Sequence, residues 1–211
     1  MKIEVNHAQL FGAARYQGMR LTCLAFAASD LNRVASSAPD QLSPEFLYRQ
    51  SGATTPNWLA GEGLFLIPTL DAAGNPGQPL EVHFPYEANA PTDTLPPEAP
   101  RDATLYGSKL APLKPSGDNV IDQIRLGHPV GLIVESTLTL FQPVNGVVAF
   151  SPHILQDRVH AVLAVGVGQS SGGEPHVLIR NSWGVTWGDQ GYAWLPKQYI
   201  DMHALEAFGR K

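Results

Sequence analysis

The sequence predicts an α+β fold, in which a mainly helical first half is followed by a β-rich second half. Helical spacing with capping signals occurs between residues 22 and 50, whereas short β-branched segments separated by Gly, Ser and Pro clusters follow residue 129. The 211 residues, 44% hydrophobic and 16% charged, are typical of a compact globular chain. We therefore expect a helical lobe over residues 1–105 and a lobe built on an antiparallel sheet or barrel over residues 106–211, together forming one domain.

The first predicted helix carries the only cysteine of the chain. Thr22 is a suitable N-cap, so Cys23 falls in the first turn. The following apolar residues have the three-and-four spacing of a helix with one buried stripe, namely Leu24, Ala27, Ala28, Leu31, Val34 and Ala35.

Cys23 fits two different roles. A lone cysteine is most often a small buried hydrophobic residue. The first turn of a helix, however, presents N–H groups without intrahelical partners and the positive end of the helix dipole, which favour a thiolate over a thiol. A nucleophilic thiolate also needs a base, a group that orients the base, and hydrogen-bond donors for the oxyanion.

The next elements are marked by prolines and caps. In "LSPEFLYRQS", Ser43 is the N-cap of a second helix and Pro44 takes its first position. The Pro-rich stretch Ala88–Lys114 predicts no regular element, and we interpret it as the crossing between the lobes. A short helix is then expected to begin near Ser116 or Asp118.

The second half of the chain contains four predicted strands. They are short, rich in β-branched residues and bounded by turn-forming residues: "VGLIVES", "VHAVLAVGVG", "HVLIRNS" and "GYAWLP".

Composition excludes several classes of function. A net charge of -5 without a basic cluster argues against nucleic acid as a partner. No apolar run approaches the roughly 20 residues that span a bilayer, so we expect no membrane partner. The first residues lack the pattern of a signal peptide, and one cysteine cannot form an internal disulfide. We expect a protein that is cytoplasmic, or exported without a cleaved signal peptide.

The base that Cys23 requires is a histidine remote in sequence. His160 is distinct because it opens an apolar strand, where its ring can be held in a fixed geometry. The other histidines are interpreted as bystanders: His7, His83, His128, His153, His176 and His203. No pair has the HExxH spacing of a zinc helix, so no metal site is predicted.

A candidate for orienting the base follows downstream, in "LIRNSWGVTWGDQGYAWLP". The amide oxygen of Asn181 can accept the imidazole N–H and fix its tautomer, while Trp183 and Trp187 can keep water out. Taken alone, "NSWG" fits equally well a turn with a stacking tryptophan.

These residues in this order resemble the papain family of cysteine peptidases, in which a glutamine also stands six residues before the nucleophile, as Gln17 does before Cys23. Further similarity lies in "SPEFLYRQS", "FPYEA" and "FQPVNGVV", and above all in "NSWGVTWGDQGYAWL".

The resemblance implies a papain-like two-lobe fold, with Cys23 on a helical left lobe, His160 and Asn181 on a β-barrel-like right lobe, and substrate in the cleft between them. It implies hydrolysis of a peptide or protein through a thioester acyl-enzyme, with Gln17 in the oxyanion hole. It further implies no cofactor, a monomer, and a protein inhibitor as a second partner. Family substrate-binding positions correspond to Gly61, Gly63 and Trp183.

The chain also departs from the family pattern. Where the family has Cys-Gly-Ser before the nucleophile and an aromatic residue after it, this chain has Arg20, Leu21, Thr22 and Leu24. We expect a divergent member without disulfides and without the inhibitory prodomain. Two alternatives stay open: a papain-like binding module without turnover, and a Cys/His amidase, transglutaminase or acyltransferase that acts as a delivered effector.

Overall fold

The computed structural model describes residues 1–89 and 97–210, which form two compact units. One unit contains residues 1–16 and 112–209, and the other contains residues 17–89, 97–111 and 210. The predicted boundary at residue 105 lies near this division. Residues 1–16, which we expected in the helical lobe, belong to the β-rich unit because strand β1 (Lys2–Asn6) pairs with strand β4 (Val159–Gln169).

The helical unit is built on three α-helices, α1 (Cys23–Ala35), α2 (Pro44–Thr54) and α3 (Leu66–Gly74). Helix α2 begins as predicted, since the Ser43 hydroxyl accepts a hydrogen bond of 3.0 Å from the Phe46 N–H and Pro44 follows the cap. Helix α3 was not predicted from the sequence.

Helix α1 is buried more completely than one apolar stripe would require. Besides the predicted face, Ala25 and the polar residues Ser29 and Asn32 are also buried. Their polar atoms are satisfied inside the unit, because Gln78 donates to the Ser29 hydroxyl at 2.5 Å and accepts from Asn32 Nδ2 at 2.9 Å. The predicted single stripe was therefore too narrow, since α2 and α3 both pack against α1.

The β-rich unit is organised around β4, its longest strand. The further strands are β2 (Leu110–Leu113), β3 (Val130–Glu135), β5 (Pro175–Arg180), β6 (Tyr192–Pro196) and β7 (Ala204–Arg210). Their order in the sheet is β2-β7-β3-β4-β5-β6, and β1 pairs with the second half of β4. The pairings of β3 with β4, β4 with β5 and β5 with β6 are antiparallel, as predicted. The pairing of β1 with β4 is antiparallel as well.

The four predicted strands correspond to β3, β4, β5 and β6, whereas β1, β2 and β7 were missed. Strand β2 lies within the stretch Ala88–Lys114, for which we predicted no regular element; part of that stretch, residues 90–96, lies outside the described residues. Pro112 can lie in β2 because β2 is an edge strand beside β7.

Three short helices complete the β-rich unit: α4 (Gly117–Arg125), α5 (Leu138–Phe141) and α6 (Lys197–His203). Helix α4 was predicted, and its N-cap is Ser116. Val162, Ile179 and Leu195, one from each of β4, β5 and β6, lie in the core of this unit. Within residues 1–89 and 97–210, no helix combines the length and the apolar character needed to cross a membrane.

Candidate active site

The side chain of Cys23 stands at the start of α1. The first hydrogen bond of this helix joins the Phe26 N–H to the Thr22 carbonyl at 3.1 Å, so the N–H of Cys23 lies before the helical bonding begins. Cys23 is partly exposed, whereas the next residue, Leu24, is buried in the core. The helix therefore holds the sulfur at its own N-terminal end, as expected.

Gln17 is buried and its side chain is fixed by its own loop. Its Nε2 donates to the Arg20 carbonyl at 2.8 Å, and its main-chain carbonyl accepts from the Tyr86 hydroxyl at 2.6 Å. Gly18 follows with a φ of 66°, and a Cβ there would lie 2.9 Å from the Cβ of Ala88. A glycine is required after Gln17 because the backbone is left-handed and the segment around residue 88 is close.

The loop of residues 61–63 carries the two glycines expected to bind substrate. Its carbonyls are held from the inside, since Tyr48 donates to Glu62 O at 2.6 Å and Trp58 Nε1 donates to Gly63 O at 3.0 Å. A Cβ added at Gly61 or Gly63 would meet no atom within 4 Å. The loop thus presents open backbone at both positions.

His160 and Asn181 are joined in the β-rich unit. His160 lies on β4 opposite Val134 of β3, and Asn181 directly follows β5. The His160 Nε2 is 2.7 Å from the Asn181 Oδ1, and this oxygen also accepts from the Ser182 N–H at 2.8 Å. Because an amide oxygen can only accept, His160 donates through Nε2, and Nδ1 is the ring nitrogen that can act as a base.

The orientation of the Asn181 amide is determined by these two donors. Rotating the amide by half a turn would place its Nδ2 against the His160 and Ser182 N–H groups. In the observed orientation the buried Nδ2 has no hydrogen-bond partner among the described residues. Two accepted bonds therefore outweigh one donor left without a partner.

The imidazole is covered by an aromatic stack. The rings of His160 and Trp183 are 4.3 Å apart and inclined by 27°, and Trp183 stacks in turn on Phe141 at 4.8 Å. Trp187 meets Trp183 edge-on and donates through Nε1 to the Leu140 carbonyl at 3.0 Å. Trp183 thus covers one face of the His160 ring, and Trp187 packs against Trp183.

Burial changes the acid–base properties of His160. Desolvation lowers its pKa from 6.5 to about 4, while the hydrogen bond that the ring donates to Asn181 acts in the opposite direction and is the smaller effect. The ring is consequently neutral at pH 7 unless a negative charge is close to it.

Glycines after Asn181 allow the chain to turn back into β6. Gly188 has a φ of 58°, and a Cβ there would approach the Tyr192 carbonyl oxygen to 2.2 Å. Gly191 has a φ of 87°, and a Cβ there would lie 2.1 Å from that of Ala14. The two glycines of "GDQG" are therefore required by the backbone, and the turn brings the Gly191 carbonyl back to accept from the Asn181 N–H at 3.0 Å.

Three of the histidines interpreted as bystanders have structural hydrogen bonds: His7 Nε2 to Ile124 O at 3.0 Å, His176 Nδ1 to Glu174 O at 3.0 Å and His203 Nε2 to Ser151 O at 2.8 Å. Among the described parts of the chain, no group of three or more His, Cys, Asp or Glu side chains is arranged to hold a metal ion.

The predicted residues are thus divided between the two units. Gln17 lies in the loop that leads to α1 and Cys23 is the first residue of that helix, while His160 contacts both Asn181 and Trp183 in the β-rich unit. No role was predicted for Tyr86, although "FPYEA" was part of the resemblance. In the structure its hydroxyl is bonded to the Gln17 carbonyl and the Thr22 hydroxyl.

Comparison with known proteins supports the resemblance. Residues 74–207 match the model of the family described as papain family cysteine protease. The matched stretch contains His160 and Asn181, whereas Gln17 and Cys23 precede it.

Two curated proteins illustrate the relationship. The cathepsin L-like peptidase of Aedes aegypti is 37% identical over 121 residues, which are 56% of this chain and 34% of that protein. Cathepsin K of Mus musculus is 39% identical over 70 residues, which are 33% of this chain and 21% of that protein. The chain thus matches about a third or less of the length of these relatives.

Solved structures extend the similarity to nearly the whole chain. Digestive procathepsin L 3 of Tenebrio molitor has a TM-score of 0.79 at 20% identity and covers 98% of this chain and 69% of its own. The cysteine protease CMS1MS2 of Carica candamarcensis, solved in complex with E-64, has a TM-score of 0.71 at 22% identity and covers 96% and 94%. At these identities the similarity concerns the fold.

Proposed function

Because the chain belongs to the papain family of cysteine proteases, we propose that it hydrolyses peptide bonds as a cysteine endopeptidase. The predicted papain-like α+β fold is confirmed by the solved structures of similar fold. The observation that carries the proposal is the 2.7 Å bond between His160 Nε2 and Asn181 Oδ1, which leaves Nδ1 as the basic nitrogen.

In the proposed acylation step, His160 Nδ1 takes the thiol proton of Cys23, and the thiolate attacks the carbonyl carbon of the scissile bond. The carbonyl electron pair moves to oxygen, which accepts hydrogen bonds from Gln17 Nε2 and the Cys23 N–H. The imidazolium then gives its proton to the leaving amine as the C–N bond breaks. A thioester on Cys23 remains.

In deacylation, His160 removes a proton from water, whose oxygen attacks the thioester carbonyl. The C–S bond breaks, the thiolate regains the proton, and a carboxylic acid leaves. Asn181 keeps the His160 ring in one tautomer through both steps. Trp183, stacked on that ring, limits access of water to the hydrogen bond between His160 and Asn181.

The acid–base state of His160 bears on the form of the resting enzyme. Its low pKa favours a neutral ring when no negative charge is near, so a thiolate/imidazolium pair with Cys23 requires that the thiolate stabilise the imidazolium. The two groups then titrate as a coupled pair.

We further propose that peptide or protein segments bind along the open backbone of residues 61–63. Leu21, which stands where the family has a glycine, is more than half exposed. The chain acts as a monomer without a cofactor, and a protein inhibitor is a further partner. A single cysteine is compatible with a reducing compartment.

Hydrolysis of a fluorogenic peptide library by the wild-type chain and Cys23→Ala tests the proposal. We expect turnover by the wild-type chain and none by the variant, and circular dichroism checks that both are folded. Full activity in Cys23→Ala would contradict the assignment. Because the chain has one cysteine, labelling by iodoacetamide reports on that residue alone.

The two alternatives give different results in the same experiment. A binding module without turnover would show neither peptide hydrolysis nor accelerated labelling of Cys23. An amidase or acyltransferase would show accelerated labelling without hydrolysis of the library.

A further inference from the structure

We propose that Tyr86 is a positioning residue of the active site, which fixes the main chain of Gln17 and the N-cap of α1 through one hydroxyl group. This inference rests on the proposed function, because it assumes that Gln17 contacts the oxyanion. Tyr86 itself contacts neither substrate nor the reacting atoms in the mechanism described above.

The direction of each hydrogen bond at the Tyr86 hydroxyl follows from the fact that this group has a single proton to donate. The Gln17 carbonyl can only accept, so the single hydroxyl proton of Tyr86 is donated to it, over 2.6 Å. The Thr22 hydroxyl, 2.9 Å away, must then donate to the Tyr86 oxygen. A directed chain therefore runs from Thr22 through Tyr86 to Gln17, and donation into Tyr86 strengthens its bond to Gln17.

This arrangement explains why Thr22 does not cap the helix with its side chain. A threonine at an N-cap normally accepts from an N–H of the first turn. Here Thr22 has no such side-chain bond, although its carbonyl accepts the first helical hydrogen bond. Its hydroxyl is directed to Tyr86 instead, so the residue before Cys23 is tied to the same phenol as Gln17.

The ring of Tyr86 is held on two sides. The guanidinium carbon of Arg20 lies 4.8 Å from the ring centroid, and the ring of Phe26 meets it edge-on at 4.7 Å. Burial raises the pKa of Tyr86, and this effect exceeds the lowering by the Thr22 hydrogen bond and by the charge of Arg20. The phenol therefore keeps the proton that it donates.

Arg20 is fixed in turn by Glu45 at the start of α2. Its Nη1 and Nη2 lie 2.5 and 3.1 Å from the two carboxylate oxygens of Glu45, and Nη1 also donates to the Glu87 carbonyl at 3.0 Å. The carbonyl of the same Arg20 accepts the side-chain amide of Gln17. Both the main chain and the side chain of Gln17 are thus held by hydrogen bonds to one group of residues that are also bonded to each other.

The variant Tyr86→Phe tests this role because it removes only the hydroxyl. We expect kcat for peptide hydrolysis to fall about tenfold with KM changed less than about twofold. The loss should be smaller than the roughly hundred- to thousandfold loss expected for Gln17→Ala, since the oxyanion donor is displaced rather than deleted. Alkylation of Cys23 by iodoacetamide, which forms no oxyanion, should keep its rate.

Tyr199→Phe is the matched control. Tyr199 is fully buried in the β-rich unit, and its hydroxyl likewise donates to a carbonyl, that of Glu135, at 2.8 Å. We expect a comparable loss of thermal stability and an unchanged kcat. An equal fall of kcat in Tyr86→Phe and Tyr199→Phe would show that the effect of Tyr86→Phe is general destabilisation, and it would overturn the proposal.

A double-mutant cycle then identifies Gln17 as the group through which Tyr86 acts. In a Gln17→Ala background, Tyr86→Phe should lower kcat by less than about twofold, because the positioned donor is already absent. A tenfold effect that persists in this background would overturn the proposed connection.

The contact between Tyr86 and Gln17 can also be followed without an activity assay, by ¹⁵N NMR of the Gln17 side-chain amide. The signals of this amide are assigned by their loss in Gln17→Ala. We expect Tyr86→Phe to shift these signals and Tyr199→Phe to leave them in place; unchanged signals in Tyr86→Phe would overturn the proposal. If the wild-type chain hydrolyses no peptide but Tyr86→Phe still shifts the Gln17 amide signals, the peptidase assignment is refuted and the bond between Tyr86 and Gln17 is structural only. Unchanged hydrolysis in Tyr86→Phe would refute the positioning role alone.

Discussion

At the scale of single residues, the chemistry of His160 follows from two opposing influences on its ring. Burial under Trp183 disfavours the charged form, whereas the hydrogen bond to Asn181 favours it, and burial is the stronger. The sequence identified both partners, because a histidine that opens an apolar strand and an asparagine that ends another are unusual. The sequence could not give the size of the burial effect, which depends on how the aromatic stack closes.

The low pKa of His160 predicts loss of stability in acid. The unfolded chain binds a proton at this residue near pH 6.5, but the folded chain does so only near pH 4. The stabilisation is therefore complete above pH 6.5 and falls as the pH decreases to about 4, by about 3 kcal/mol. Urea titrations of Cys23→Ala, in which no thiolate interferes, measure this slope.

The comparison protein carries His160→Gln in addition to Cys23→Ala. We expect its free energy of unfolding to change less between pH 6.5 and about 4 than that of Cys23→Ala alone. Identical slopes in the two proteins would show that His160 titrates normally when folded.

Gly63 provides a second prediction at this scale. Its φ lies outside the left-handed region and an added Cβ would meet open space, so the fold does not require a glycine. We expect Gly63→Ala to leave the thermal midpoint nearly unchanged and to raise KM for peptides several-fold, because a methyl group would obstruct the substrate backbone.

Gly172 is the control for this substitution. It also has ordinary φ, and its added Cβ would lie 3.7 Å from the nearest atom, the Ser170 hydroxyl oxygen. Gly172→Ala should change neither the midpoint nor KM. A KM for Gly63→Ala equal to that of the wild-type chain would remove residues 61–63 from the substrate site.

At the scale of elements, the loop before α1 and the start of α2 are joined by an ion pair that is almost entirely buried. The side chains of Arg20 and Glu45 are 10% and 3% exposed, and Arg49 forms a second ion pair with Glu45 at 2.7 Å. Removing one charge of such a pair leaves the other buried without its partner. We predict that Glu45→Gln lowers the free energy of unfolding by about 3–5 kcal/mol, measured by urea denaturation.

An exposed ion pair of the same type gives the comparison. Arg125 bonds Glu4 at 2.7 Å, but both side chains are more than a third exposed. Because water screens this pair, Glu4→Gln should cost less than about 1 kcal/mol. Equal effects of the two substitutions would contradict the structural role assigned to the buried pair.

Some elements could be predicted from the sequence because their signals are local. Helix α2 has its cap and its proline in adjacent positions, and the apolar segments of β3 to β6 are bounded by turn residues. Strand β1 has no such signal, because its residues are mostly exposed and its existence depends on pairing with β4. The ion pair of Arg20 with Glu45, 25 residues apart, likewise depends on tertiary packing.

At the scale of the whole molecule, sequence order and spatial order differ. Residues 1–16 join the β-rich unit although they precede the helical one, and no local pattern could have placed them there. The candidate catalytic residues were nevertheless identifiable, since their types and order carry the family resemblance. Tyr86 was not, because a tyrosine in a loop has many ordinary roles, and only its bonds to Gln17 and Thr22 distinguish it.

We propose that Cys23 and His160 act as one nucleophilic pair, and the rate of Cys23 alkylation by iodoacetamide at about pH 5.5 distinguishes such a pair from an ordinary thiol. An ordinary thiol is almost entirely protonated at this pH, so the native chain should react at least about tenfold faster than either His160→Gln or the urea-unfolded chain. Equal rates in all three samples would show that the two residues do not act as a pair.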